Sequence, residues 1–138
     1  METIKNIWFE DGRICMLSSE EKVYSRPLEA FPVLKEATSE ERQAYAIAMR
    51  GEAVRWAGLD EDIHISSFYD TVEPEYDNEI ARIFKKFPQL NVSEVARSIG
   101  INKSLLSKYI YGIKKPSEQR KQQIKEALHV LGEALIAV

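Results

Sequence analysis

Six side chains between positions 102 and 111 could read nucleic acid. Asn102, Lys103, Ser104, Ser107, Lys108 and Tyr111 all donate hydrogen bonds, and helical spacing sets them apart from Leu106 and Tyr109. Asn can hold adenine through two bonds, Lys can reach guanine, and Ser serves a base or a phosphate. The N-terminus of such a helix also offers free N–H groups to a phosphate oxygen. Ser93, which with Asn91 is one of two candidate caps for the preceding helix, joins the same set. Beyond position 111 come Lys114, Lys115, Arg120 and Lys121, against the single acid Glu118. We expect this basic stretch, Lys114 and Lys115 above all, to grip phosphates and set register without reading bases.

Other chemistry is poorly supported. Asp60, Glu61 and Asp62 precede His64, but there is no calcium-loop glycine and no second His or Cys to complete a zinc site. A solvated turn, or a negative patch for a protein partner, fits them better. His64 and His129 are isolated, so we expect surface or packing roles. Cys15 alternates with Ile14 and Met16, as in a buried, unreactive strand position, with Arg13 on the same face. The serines lack a base beside them in sequence, and no glycines fall in G-x-G spacing. No enzyme, metal or cofactor is therefore expected.

The elements that would position the polar helix are legible around it. Asp77 can cap a helix carrying Ile80, Phe84 and Phe87, which Pro88 ends. A short helix follows with Val95, Ala96 and Ile99 and stops at Gly100. Asn102 caps the next, which runs to Tyr111 and stops at Gly112. Pro116 and Ser117 open a long last helix with Ile124, Leu128, Leu131 and Leu135 on one stripe. Ala96 permits a close crossing, Gly100 supplies a tight turn at positive φ, and Ile101 plugs the core between the helices. Charge follows the same division. Residues 1–76 carry 8 Lys and Arg against 16 Asp and Glu, a net −8. Residues 77–138 carry 11 against 6, a net +5. A basic half attracts phosphate and an acidic half repels it.

At Val95, Ala96, Ile99, Gly100, Ile101, Ser107, Gly112 and Lys115-Pro116-Ser117 the chain resembles the λ-repressor-like (Xre-type) helix-turn-helix family. The resemblance spans about residues 77–131. It implies an all-α domain of five or so helices, binding to double-stranded DNA, and often a homodimer. The chain departs from the family pattern at Ser93 or Glu94, where Gln is common, and at Ile110, where an acid is common.

The first half reads as a small α+β domain over residues 1–70, with a polar, proline-broken linker at 71–76 and the helix-turn-helix domain at 77–138. Ile4 to Glu10, Arg13 to Leu17 and Lys22 to Arg26 are strand-like, and Asp11-Gly12 is a hairpin turn. Pro27 is expected to open a helix through Lys35. Thr38 with Glu41 forms a capping box for a second helix over about 39–49, closed by Gly51. Ala53 to Trp56 and Ile63 to Phe68 would be short strands or irregular core segments, and Trp8, Phe9, Phe31, Tyr45 and Trp56 the aromatic core. WFEDGRICML, PLEAFPVL, ATSEER and LDEDI resemble a small bacterial domain of unknown function found beside regulators and toxin–antitoxin partners. That resemblance implies a regulatory setting, with an antitoxin-like autorepressor as one form. The single Cys15 and the lack of any apolar run of about 20 residues point to a cytoplasmic chain without membrane contact. The rival reading is a protein-interaction module whose acidic half binds a basic protein partner, with DNA binding secondary or lost. The apolar end, Leu131 to Val138, suits packing on the first domain or a dimer interface.

Overall fold

A computed structural model describes all 138 residues, which divide into two compact units, Met1–Glu73 and Pro74–Val138. The first is a two-sheet α+β unit and the second is built from helices.

In the first unit, strands β1 (Ile4–Glu10), β2 (Arg13–Ser18) and β3 (Val23–Pro27) form an antiparallel sheet in the order β1-β2-β3. Asp11 and Gly12 both take positive φ, 52° and 72°, as a two-residue turn matched to the strand twist requires. A second antiparallel sheet contains β4 (Ala46–Ala48), β5 (Ala53–Trp56) and β6 (Glu61–His64). Ile7, Ile14, Met16, Leu34, Val54, Trp56, Ile63 and Phe68 fill the core, and the Trp56 side chain is fully buried. Replacing Trp56 by Ala would cost ~3–5 kcal/mol at such a site. Phe9, Phe31 and Tyr45 pack against this core as partly buried residues. Trp8 instead stays half-buried and donates its indole N–H to Glu10, 3.1 Å away.

Three local expectations for this unit need correction. Pro27 ends β3 rather than opening a helix. Its carbonyl side leads into a 3-10 turn, Leu28–Ala30, and the short helix α1 (Pro32–Lys35) starts with Pro32 in its first turn. The capping box at Thr38 forms, with both reciprocal bonds present, but helix α2 (Ser39–Gln43) stops well short of Met49. Residues 46–48 pair with β5 instead, because tertiary pairing overrides the helix propensity of the two alanines. Residues 71–73 are not a loose linker. Arg26, only 3% exposed, donates a 2.6 Å bond to the Val72 carbonyl, and Arg13 clasps both oxygens of Glu73 at 2.9 and 3.0 Å. Arg26 shares the face of buried Ile14 and Arg13 the opposite face, so the chain is gripped from both sides of edge strand β3.

The second unit has four helices: α3 (Glu79–Lys86), α4 (Val92–Ile99), α5 (Lys103–Tyr111) and α6 (Glu118–Ile136). Their core is Ile80, Phe84, Val95, Ala96, Leu106, Tyr109 and Ile124. Asn78, not Asp77, caps α3 by accepting from the Ala81 N–H at 2.8 Å; Asp77 pairs with Arg82 instead. Phe87 is the C-cap of α3 and lies half outside, beneath the Lys86 ammonium, rather than in the core. The α6 stripe is buried only in its first half: Ile124 is enclosed, while Leu131 and Leu135 are exposed.

Candidate nucleic-acid interface

Helices α4 and α5 are joined by the three residues 100–102. Asn91 caps α4 by accepting from the Glu94 N–H at 3.1 Å. Gly100 closes α4 in the left-handed region (φ 81°), and the Ile101 N–H returns to the Ala96 carbonyl at 3.1 Å. Ala96 is 1% exposed, and Leu106 and Tyr109 bury one side of α5 against the same core. Gly112 closes α5 in the same left-handed conformation (φ 79°). The Glu75 N–H donates to the Gly112 carbonyl at 2.8 Å, and a Cβ at 112 would lie 2.0 Å from the Glu75 carbonyl oxygen. Position 112 is therefore glycine for two reasons, backbone conformation and space.

The candidate residues divide once placed on this frame. Lys103 is exposed, and Ser104, Lys108 and Tyr111 are half-buried on the side of α5 away from Leu106. Lys114 and Lys115 are exposed in the loop that follows, where the Lys114 N–H donates to the Lys108 carbonyl at 3.2 Å. Ser93 is exposed in the first turn of α4. Asn102 is exposed, but its side-chain oxygen caps α5 by accepting from the Leu105 N–H at 2.8 Å. Its amide NH2 is thus its simplest offering to a ligand. Ser107 does not belong with the others: at 2% exposed it is buried in the packed side of the helix. It follows Leu106 directly, and a small hydroxyl fits where helices pack closely.

The basic stretch after α5 also divides. Lys121 turns to Glu118 at 3.2 Å and Glu79 at 3.7 Å, and Lys125 meets Glu79 at 2.5 Å. Lys125 and Lys121 together hold the Glu79 carboxyl below its ordinary pKa, the hydrogen bond from Lys125 being the main cause. These lysines are ion-paired at the α3–α6 seam, and Lys121 also lines the cleft that holds Lys114 and Lys115. A cleft of about 300 Å³ in this unit sets Lys114 and Lys115 beside Glu75, Asp77 and Glu79. The acids temper the positive potential of the loop on that side.

The remaining candidates resolve into structural roles. Arg55 donates to Asp60 at 2.9 Å and Asp62 at 2.8 Å, so the acidic turn is an ion-pair cluster. His64 does have a serine neighbour, contrary to the sequence reading. Its Nδ1 lies 2.9 Å from the Ser66 hydroxyl and accepts from the Ser66 N–H at 3.1 Å. That ring nitrogen is a helix cap on an exposed surface. Burial pushes the Cys15 thiol up, opposed chiefly by its hydrogen bond with Ser25 and least by Arg13, and the raised thiol is a poor nucleophile. No group of three His, Cys, Asp or Glu residues is placed to hold a metal ion, and no helix is long and apolar enough to cross a membrane.

No curated protein and no solved structure matches the chain. A family model does, over residues 4–74, the full extent of the two-sheet unit. That match covers half of the chain, and the protein belongs to the family of proteins of unknown function DUF2442.

Proposed function

We propose that this DUF2442 protein is a transcriptional regulator that binds double-stranded DNA through a λ-repressor-like helix-turn-helix made by α4 and α5. The observation that carries this reading is the division of α5 into two sides. Leu106 and Tyr109 anchor one side in the core, while Ser104, Lys108 and Tyr111 line the other, with Lys103 exposed at the helix start and Lys114 and Lys115 just beyond the C-cap. A helix anchored behind and polar in front is what a major groove accepts. Lys103 and Lys108 read bases, Ser104 and Ser93 contact bases or phosphate, and Lys114 and Lys115 hold the backbone. The Asn102 amide donates at the helix start, and Ser107 supports the packing rather than the groove.

Selection of bound sequences from a random duplex pool tests this directly. The intact chain should enrich a short motif, and a chain carrying both Lys103→Ala and Lys108→Ala should not. Failure of the intact chain to enrich any motif contradicts the reading. A second reading rests on the charge of residues 1–76, net −8. In it the first unit binds a basic protein partner and tunes the regulator, as an antitoxin-like autorepressor would be tuned by its toxin.

A further inference from the structure

One cleft of the second unit holds charges and a hydroxyl that the fold leaves without partners. It is the cleft of about 300 Å³ at the start of α3, and Tyr109 lines it. Tyr109 is only 6% exposed and belongs to the core with Ile80 and Leu106. Its hydroxyl makes no hydrogen bond to any other residue. A tyrosine enclosed this far ordinarily finds one. Phenylalanine would fill the same core space, so the hydroxyl serves nothing inside the unit.

The charges around the cleft sort in the same way. Asp77 is paired with Arg82, and Glu79 with Lys121 and Lys125. Glu75, Lys114 and Lys115 are left over: no ion pair or side-chain hydrogen bond engages them, with each other or with a neighbour. The backbone fixes where they stand. The Glu75 N–H is tied to the Gly112 carbonyl and the Lys114 N–H to the Lys108 carbonyl. Opposite charges thus share one cleft without meeting. The unengaged groups are two cations, one anion and one hydroxyl donor. Their complement carries two negative charges, one positive charge and a spare oxygen acceptor.

We propose that this cleft binds a free acidic amino acid, of the glutamate or aspartate class. Its ammonium pairs with Glu75 and its two carboxylates with Lys114 and Lys115, and one carboxylate oxygen accepts from the Tyr109 hydroxyl. A volume of about 300 Å³ is at the small end for ligand sites and suits a molecule of this size. A dicarboxylate without the ammonium would set its charge against Glu75 with nothing between them. Glu75 and both lysines are exposed, so each ion pair contributes little, and a dissociation constant in the millimolar range is expected. Under the DNA reading, ligand and duplex compete for Lys114 and Lys115. The proposal does not rest on that reading, and its test contains no DNA.

The full isotope-labelled chain is titrated with L-glutamate and with L-aspartate at constant ionic strength and followed by amide NMR shifts. Saturable shifts are expected from at least one of them, at residues 75–80 and 109–116 that line the cleft. Glutarate, which lacks the ammonium, should bind ~fivefold more weakly than L-glutamate. Glu75→Gln should lose that preference. Tyr109→Phe should keep the parent's urea midpoint and bind about tenfold more weakly, as loss of a hydrogen bond to a charged group requires. Four results would each overturn the proposal. They are no saturable shift below ~20 mM of either amino acid, glutarate binding as tightly as L-glutamate, Glu75→Gln keeping the preference, and a Tyr109→Phe chain that is destabilised or binds like the parent.

Discussion

Two glycines with the same backbone conformation make unequal demands. Gly100 and Gly112 both sit at φ near 80°, yet a Cβ at 100 would meet nothing within 4 Å, whereas at 112 it would strike the Glu75 backbone. Gly100→Ala should cost ~1–2 kcal/mol from the left-handed conformation alone. Gly112→Ala adds a clash that must displace main chain, for a total of ~2–5 kcal/mol. Urea unfolding of the two variants checks this, and equal midpoints would refute the distinction. Sequence spacing pointed to both glycines as helix stops, but not to the difference, because Glu75 lies far away along the chain. Side chains on α5 show a similar limit. Ser104 and Ser107 are the same residue type on one helix, and only the packing shows that the Ser107 hydroxyl is inside. The proposed roles predict that Lys108→Ala lowers affinity for the selected motif by ~1–3 kcal/mol while sparing random duplex. Lys114→Ala should weaken both alike and reduce the salt slope by about one. Fluorescence anisotropy on the two duplexes separates these outcomes, and identical behaviour of the two variants would remove the division of roles.

At the scale of elements, the strap at residues 70–73 holds the end of the first unit to edge strand β3. Two hydrogen bonds from the Arg13 guanidinium are the main cause that holds the Glu73 carboxyl below its ordinary range. A carboxyl depressed by folding stabilises the native state above its unfolded pKa, and the gain is lost as pH falls through the folded value. Both partners face solvent, so the contribution is ~1 kcal/mol or less. Glu73→Gln should therefore be slightly less stable than the parent at neutral pH and converge with it in acid. Urea melts across that range report the difference, and parallel curves would show that the pair is not coupled to folding. The strap was unreadable from local pattern: Arg13 lies 60 positions before Glu73, and a polar run with a proline looks like a linker. The hairpin turn, the Thr38 capping box and the Asn102 cap were legible because each depends on a few adjacent residues, while the α4 cap was narrowed only to Asn91 or Ser93. Helix α2 was overextended for the converse reason, since its end is set by pairing of β4 with β5 rather than by its own sequence.

For the whole molecule, the central claim is that a chain of net charge −3 binds a polyanion because its charge is divided. Ion pairing within the second unit draws Lys121 and Lys125 to Glu79, and Lys114 and Lys115 are the proposed backbone contacts. Two backbone contacts release few counterions, so the salt dependence should be modest. The most direct test is a titration of the intact protein against labelled random duplex at low and at physiological ionic strength. The account predicts measurable binding at low salt that weakens roughly tenfold when salt rises about fourfold, as about two neutralised phosphates require. Absence of binding at low salt, or binding indifferent to salt, would contradict it and leave α4 and α5 as a packing unit only.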